Sequence, residues 1–362
     1  MTEVQIHESG ERIPISVLTG FLGSGKTTLL SRLLRDPAMS DTAVVINEFG
    51  EVGLDHMLVE SSSDDVIVMD SGCLCCTIRS DLVDTLRSLF RRRVTSEIPD
   101  FSRLVIETTG LADPAPILHT LMTDPLLSAR YRLDAVITTV DGVNAFNQLD
   151  TQFEPIKQAA VADRLLITKR DLIDEDKTAA LTERLRAINP AAPIHPITQG
   201  AIDPDTLFGA GLYDPETKSP DVARWLKEEA YAAAHDDHHH HHGGDAHDGH
   251  YHHEDVNRHD DRIRSFCLTS ETRMPWDAFA DWMEALISTH GEALLRIKGI
   301  LHVTDTDNPV AVHGVQHIFH PPAMLDAWPD DDRRSRIVMI TRDLNREPVE
   351  QMFRAFVEAN QT

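Results

Sequence analysis

The sequence predicts a doubly wound α/β domain on a mainly parallel sheet, followed by a smaller α+β domain. Three observations carry that expectation. Short, almost wholly apolar, β-branched runs alternate with amphipathic stretches through the first half of the chain, the pattern of strands joined by crossover helices. A glycine-rich segment at residues 20–27 falls between the first such run and the first amphipathic stretch. Near Ala232 the composition changes abruptly, and strand-like alternation restarts only at Arg262.

Residues 13–19 read as a buried first strand, with Pro14 near its start, where a missing N–H is tolerated. A helix follows over 27–34. Further strands are expected at 43–46, 66–69, 104–106, 135–140 and 164–167, with helices at 81–93 and 174–188. Their near-continuous apolar character suits a sheet covered on both faces. Between His235 and His259 the chain holds 11 histidines in 25 residues, mixed with Asp and Gly. Such a segment buries no core and reads as a solvated linker. Beyond it, strands are expected at 262–268, 294–303, 309–319 and 335–341, with helices at 276–289 and 348–358. The expected organisation is a nucleotide-binding domain at 1–225, a linker at 226–261 and a C-terminal α+β domain at 262–362.

The chain has 362 residues and a formal net charge of −25, which argues against a nucleic-acid partner, because phosphate backbones call for clustered Lys and Arg. The one basic cluster, Arg91-Arg92-Arg93, reads as a solvated helix end. No apolar run is long enough to span a bilayer, and the N-terminus lacks the basic start and apolar core of a secretory signal. A cytoplasmic protein with no membrane partner is expected. Four cysteines are too few for a disulfide framework, and three of them fall within residues 73–76.

Gly20-Phe21-Leu22-Gly23-Ser24-Gly25-Lys26-Thr27 fits G-x-x-x-x-G-K-[ST], the phosphate loop of P-loop NTPases, and stands between a strand and a helix as that chemistry requires. Glycines let backbone N–H groups turn onto a phosphate, and the helix N-terminus adds a favourable dipole. Lys26 would reach the β- and γ-phosphates and Thr27 would ligate Mg²⁺, with Thr28 beside them in the first helical turn. Glu107 ends an apolar strand on the edge expected for the phosphate loop. It is the candidate for the outer magnesium contact, and Gly110 is the candidate switch glycine. Lys26, Thr27 and Glu107 are therefore the candidate catalytic set.

Base selection falls to Thr168-Lys169-Arg170-Asp171, a T-K-x-D variant of the N-K-x-D guanine motif. The Asp171 carboxylate can accept from guanine N1–H and N2–H₂, a donor pair adenine lacks, and the Lys169 stem would lie over the base. GTP is favoured over ATP. Thr168 brings no amide side chain to the motif.

Cys73-Leu74-Cys75-Cys76 is the most distinctive segment. Three thiols on one tight turn offer soft donors to a thiophilic ion such as Zn²⁺. A cluster of small buried side chains and a redox role are the alternatives, and the crowding favours metal. The chain's remaining thiol, Cys267, is expected in the core.

Taken together, residues 20–27, Asn47-Glu48-Phe49-Gly50, Cys73-Leu74-Cys75-Cys76, Glu107-Thr108-Thr109-Gly110 and Thr168-Lys169-Arg170-Asp171 resemble the CobW-like P-loop GTPases, relatives of HypB and UreG. The resemblance covers nearly the whole chain. It implies a metallochaperone in which Cys73, Cys75 and Cys76 hold zinc or another divalent transition metal. GTP hydrolysis would be coupled to handing that metal to a client metalloprotein. Glu48 or Glu51 would add a carboxylate or act as a switch residue. Some relatives carry Glu where this chain has Ile46, so a carboxylate from that position is not available here.

The histidine segment can capture divalent ions through neutral imidazoles; a solvated spacer is the bland alternative. His313, Val315 and His317 would share one strand face, as packed or exposed strand histidines or as part of a docking surface. Two further readings separate from the GTP-driven chaperone. One is a zinc-buffering protein with a regulatory nucleotide site. The other is a P-loop small-molecule kinase, which the T-K-x-D motif and the thiol cluster disfavour.

Overall fold

The computed structural model describes residues 12–46, 66–68, 74–77, 82–209 and 262–359. Glu48, Glu51, Cys73 and the linker expected at 226–261 lie outside the described residues.

The first sheet is built from β1 (Ile13–Gly20), β2 (Thr42–Ile46), β3 (Val66–Val68), β4 (Leu74–Thr77), β5 (Arg103–Glu107), β6 (Tyr131–Asp141), β7 (Arg164–Thr168) and β8 (Ile194–Pro196). Its order is β3-β4-β2-β5-β1-β6-β7-β8. Every neighbouring pair is parallel except β3 with β4 at one edge. The central strands are buried along their length on both faces, which explains their unbroken apolar sequence. Helices α1 (Lys26–Leu33), α2 (Leu82–Val94), α3 (Ala115–Thr123), α4 (Pro125–Arg130), α5 (Ala145–Thr151), α6 (Glu154–Val161) and α7 (Glu175–Ile188) connect these strands, and α8 (Pro204–Leu207) follows β8. In α7 the buried positions Leu181, Leu185 and Ile188 recur at helical spacing, and the Asp174 side chain caps the first turn by accepting from the Lys177 N–H. Arg91, Arg92 and Arg93 form the last turn of α2, as the sequence suggests.

The second sheet is antiparallel: β9 (Ile263–Ser270), β10 (Leu294–Leu301), β11 (Val310–Val315), β12 (Ile318–Phe319), β13 (Ala323–Met324) and β14 (Ser335–Arg342). The order is β12-β11-β10-β14-β9, with β13 paired to β11. Helices α9 (Trp276–His290) and α10 (Arg346–Ala359) cover one face. There Phe266, Leu268, Ile297, Ile337 and Met339 pack against Trp282, Leu286 and Phe353. The alternate residues of the same strands face the first domain: Cys267, Ile300, Val315 and Val338 join its main core, and Leu295 and Ile340 join the cluster around α6 and α7. Both faces of this antiparallel sheet are therefore buried.

That interdomain face also carries charge. Asp163, between α6 and β7, is fully buried. It accepts from Arg296 at 2.9 Å and from Lys298 at 2.5 Å through Oδ1, and from the Val136 N–H at 2.9 Å through Oδ2. Burial alone would raise the Asp163 pKa, but the charges of Lys298 and Arg296 outweigh it and hold the carboxyl at about 2. Burial drives Lys298 the other way, down to about 8, against the pull of Asp163. His313 stands opposite Lys298 in the ladder and is buried; desolvation and the two neighbouring cations keep its pKa well below the ordinary imidazole value. The expected one-faced run His313, Val315, His317 does not form. β11 ends at Val315, Gln316 turns the chain at a φ of 53°, and His317 is exposed in the turn.

Replacing Asp163 with Ala leaves two cations buried without their carboxylate, and should cost roughly 3–5 kcal/mol in urea denaturation. The acid dependence follows in sign. Asp163 has a folded pKa of about 2 against an ordinary 3.8, so its contribution is present above about pH 4 and fades as pH falls toward 2. A pH series of urea midpoints should show that loss in the native chain, and less of it in Asp163→Asn.

Candidate functional site

Four parallel strands, β5, β1, β6 and β7, end on one edge, and three of them, β1, β5 and β7, deliver a motif to it. β1 runs into the glycine-rich turn, whose Gly20, Gly23 and Gly25 all have positive φ. At Gly20 the reason is space as well as angle: a Cβ there would lie 2.2 Å from Thr139 Oγ1 and 2.4 Å from the Thr139 carbonyl. The loop is pinned beneath by a Ser24 Oγ–Thr139 Oγ1 hydrogen bond of 2.7 Å and by the Ser24 N–H, which donates to the Phe21 carbonyl. Gly25 caps α1. Lys26 curls back to donate to the carbonyls of Gly20 at 2.7 Å and Phe21 at 3.3 Å.

β5 lies beside β1 with Glu107 level with Leu18. The Glu107 carboxylate accepts from Thr27 Oγ1 at 3.2 Å, which brings together the two residues singled out for magnesium. After β5 the chain bends closely under the phosphate loop. A Cβ on Gly110 would lie 2.8 Å from the Leu22 backbone nitrogen, so only glycine fits this approach. The side-chain amide of Gln158, wholly buried in α6, donates to the carbonyls of Gly110 and Ala112.

β7 delivers the base motif. The Thr168 hydroxyl sits between the Ser24 carbonyl at 2.7 Å and the Val140 carbonyl at 3.1 Å. Thr168 thus ties the phosphate loop to the base-motif strand without an amide. Lys169 adopts the left-handed conformation (φ 55°, ψ 35°) and pairs with Asp141, the last residue of β6, at 2.8 Å. Asp171 is exposed in the 3₁₀ turn that follows. A cleft of about 310 Å³ opens along this edge, lined among others by Gly23, Lys26, Thr27, Thr28, Glu107, Gly110, Lys169 and Ile46. It gathers most of the candidate nucleotide residues; Asp171 does not line it.

The thiol segment differs in form from the expected tight turn. Cys75 and Cys76 lie in strand β4, level with Val44 and Val45 of β2 and with Ile67 and Val66 of β3. The strand hydrogen bonds of the parallel ladder to β2 stretch the segment out. Cys267 is buried, as its strand position suggests. Asp141, Thr139 and Gln158 were not anticipated. For Asp141 a local signal existed, an acid followed by Gly at a strand end; for Gln158 there was none.

Residues 14–196 match the family described as CobW/HypB/UreG, nucleotide-binding domain, and residues 263–357 match the cobalamin synthesis protein cobW C-terminal domain. The chain belongs to the CobW/HypB/UreG family. The zinc chaperone YjiA of Escherichia coli is 32% identical over 342 residues, covering 94% of this chain and 98% of its own. The crystal structure of Zn(II)-bound YjiA GTPase from E. coli matches with a TM-score of 0.70 at 31% identity, over 96% of this chain and 99% of that one. A zinc-regulated GTPase metalloprotein activator of Schizosaccharomyces pombe is 32% identical over 198 residues, 53% of this chain and 47% of its own. The cleft lies within the residues that match the nucleotide-binding domain, and among the described residues no helix is long and apolar enough to cross a membrane.

Thr168→Val removes the hydroxyl and leaves the Ser24 carbonyl without it. The expected loss is about 1–3 kcal/mol, read by urea denaturation, with faster amide exchange at Gly25, Lys26 and Thr27 and unchanged exchange in the C-terminal sheet.

Proposed function

We propose that this chain is a magnesium-dependent GTPase that binds zinc, or another divalent transition metal, at Cys73, Cys75 and Cys76. It hands that metal to a client metalloprotein as GTP is hydrolysed. The observation that carries this reading is the register joining the thiol strand to the nucleotide edge. Thr77, next to Cys76, is level with Ile46 of β2, and Ile46 is level with Glu107 of β5. With neighbouring strands roughly 4.8 Å apart, the thiol segment lies about 10 Å from the strand that carries Glu107. The zinc and GTPase descriptions of the relatives support the same pairing of functions.

In this reading the backbone N–H groups of residues 20–27 and the N-terminus of α1 cradle the β-phosphate. Lys26 exchanges its two carbonyl acceptors for charged phosphate oxygens, which are stronger partners. Thr27 and Glu107 supply hard oxygen donors, a set that fits Mg²⁺; Mg²⁺ bound there would neutralise charge on the phosphate oxygens. Water attacks the γ-phosphorus in line, the bond to the β,γ-bridging oxygen breaks, and GDP and phosphate leave. Lys169 and Asp171 select guanine, Gly110 and Glu48 report the γ-phosphate, and Thr168 holds Ser24 in place. The boundaries 1–225, 226–261 and 262–362 and a cytoplasmic location belong to the same proposal.

The run of 11 histidines in residues 235–259 favours a second reading, zinc buffering with a regulatory nucleotide site. A triple mutant of YjiA, with one glutamate and two consecutive cysteines changed to alanine, is also described as Zn(II)-bound. Zinc affinity alone is therefore a weak discriminator, and the response of GTP turnover to zinc is the sharper one. In a chain lacking residues 235–259, Cys75→Ser should weaken zinc binding at least tenfold and abolish the zinc response of GTP turnover. If both quantities stay at the level of the parent chain, the chaperone reading fails and buffering stands.

A further inference from the structure

Asp141 is buried at the C-terminal end of β6 and belongs to none of the motifs that define the site. Its carboxylate is fixed from several sides. Oδ1 accepts from the backbone N–H groups of Val143 at 2.9 Å and Asn144 at 3.3 Å. Oδ2 accepts from the Asn144 side-chain amide at 2.8 Å and from Lys169 Nζ at 2.8 Å. Burial alone would raise its pKa, but the hydrogen bonds from Lys169, Asn144 and Val143 outweigh that and hold it below the ordinary carboxylate range. The group is an anion locked in place before any ligand arrives.

Its partner needs such an anchor. Lys169 holds a left-handed backbone, a conformation that is costly for a non-glycine residue and persists only where the surroundings over-determine it. A free lysine side chain also carries substantial rotamer entropy. Tethering Nζ to Asp141 fixes both ends of the four-carbon stem, and Lys169 is one of the residues lining the cleft. The same contact pairs the ammonium with a fixed anion, so its charge is held in one place.

We infer that Asp141 is a positioning residue for nucleotide recognition: by clamping the Lys169 ammonium, it sets the lysine stem as a rigid platform against the face of a bound purine. This rests on the reading of Lys169 as the base-contacting residue of a guanine site. Preorganisation of this kind lengthens residence more than it changes chemistry. Asp141→Asn keeps oxygen and amide in place, so the turn at residues 141–144 retains an acceptor while the ion pair is lost.

The test follows release of fluorescent mant-GDP and mant-ADP from the full chain, in the wild type, Asp141→Asn, Lys169→Met and the double variant, with melting temperature and GTP turnover alongside. The expected result is release at least fivefold faster in Asp141→Asn, and no further acceleration when Asp141→Asn is added to Lys169→Met. Unchanged release in Asp141→Asn overturns the inference. So does an additive double variant, because Asp141 would then act through the turn alone. Equal affinity of the wild type for both nucleotides defeats the guanine reading instead, and the same release comparison, made with either purine, still decides the role of Asp141.

Discussion

The site depends on one constraint, the parallel register of β5, β1, β6 and β7. Leu18 is level with Glu107, Gly20 with Thr139 and Asp141 with Thr168. These pairings bring a glycine turn, a carboxylate and the candidate base motif to the same edge, although they stand far apart in the chain, at residues 20–27, 107 and 168–171. A strand slipped by one residue would turn Glu107 or Thr168 to the opposite face. Buried hydroxyls then fasten the edge crosswise: Thr139 to Ser24, Thr108 to Thr19, and Thr168 to Ser24 and Val140. Each satisfies a polar group that burial would otherwise penalise.

The C-terminal sheet obeys a different rule. Strands β9, β10 and β14 are buried on both faces because α9 and α10 cover one side and the nucleotide domain covers the other. An antiparallel sheet commonly leaves one face to water and then alternates apolar with polar residues. Here Arg296, Lys298 and His313 interrupt the interdomain face, and their burial is tolerated because Asp163 reaches across to the two cations. Buried ion pairs of this type contribute little net stability compared with apolar packing. What this one supplies is a fixed seat, since neither cation can shift without stranding a charge.

Much of the nucleotide edge was legible because its chemistry is local. Residues 20–27 need their glycines in sequence, Glu107 closes its own strand, and the thiols announce themselves by crowding. The geometry that joins these parts was not legible, because it runs through contacts distant in sequence. Nothing around Gln158 marks it as a partner of Gly110, and nothing around Lys298 points to Asp163. The turn at Gln316 was missed because strand-like alternation continues through Ile318 and Phe319, while the positive φ that breaks it carries no glycine as a flag. The strand form of Cys75 and Cys76 was hidden for a related reason. Three cysteines suggested a turn, whereas pairing with β2 and β3 decided the backbone.

Helix α6 is where the two halves of the molecule meet mechanically. Gln158 holds the carbonyls of Gly110 and Ala112, and Lys157 pairs with Asp113 at 2.8 Å. Just past its C-terminal end, Asp163 holds Arg296 and Lys298. The C-terminal domain meets the same segment directly, through Gln316 on Asp113 and through the Val315 carbonyl, which shares a 2.8 Å hydrogen bond with the His119 ring. Moving the backbone at residues 110–113 would therefore disturb contacts to α6 and to the β11–β12 turn together. The cost of leaving the buried Gln158 amide unpaired is of order 1–3 kcal/mol. That penalty, with the close packing around α6, holds residues 110–113 in the arrangement seen.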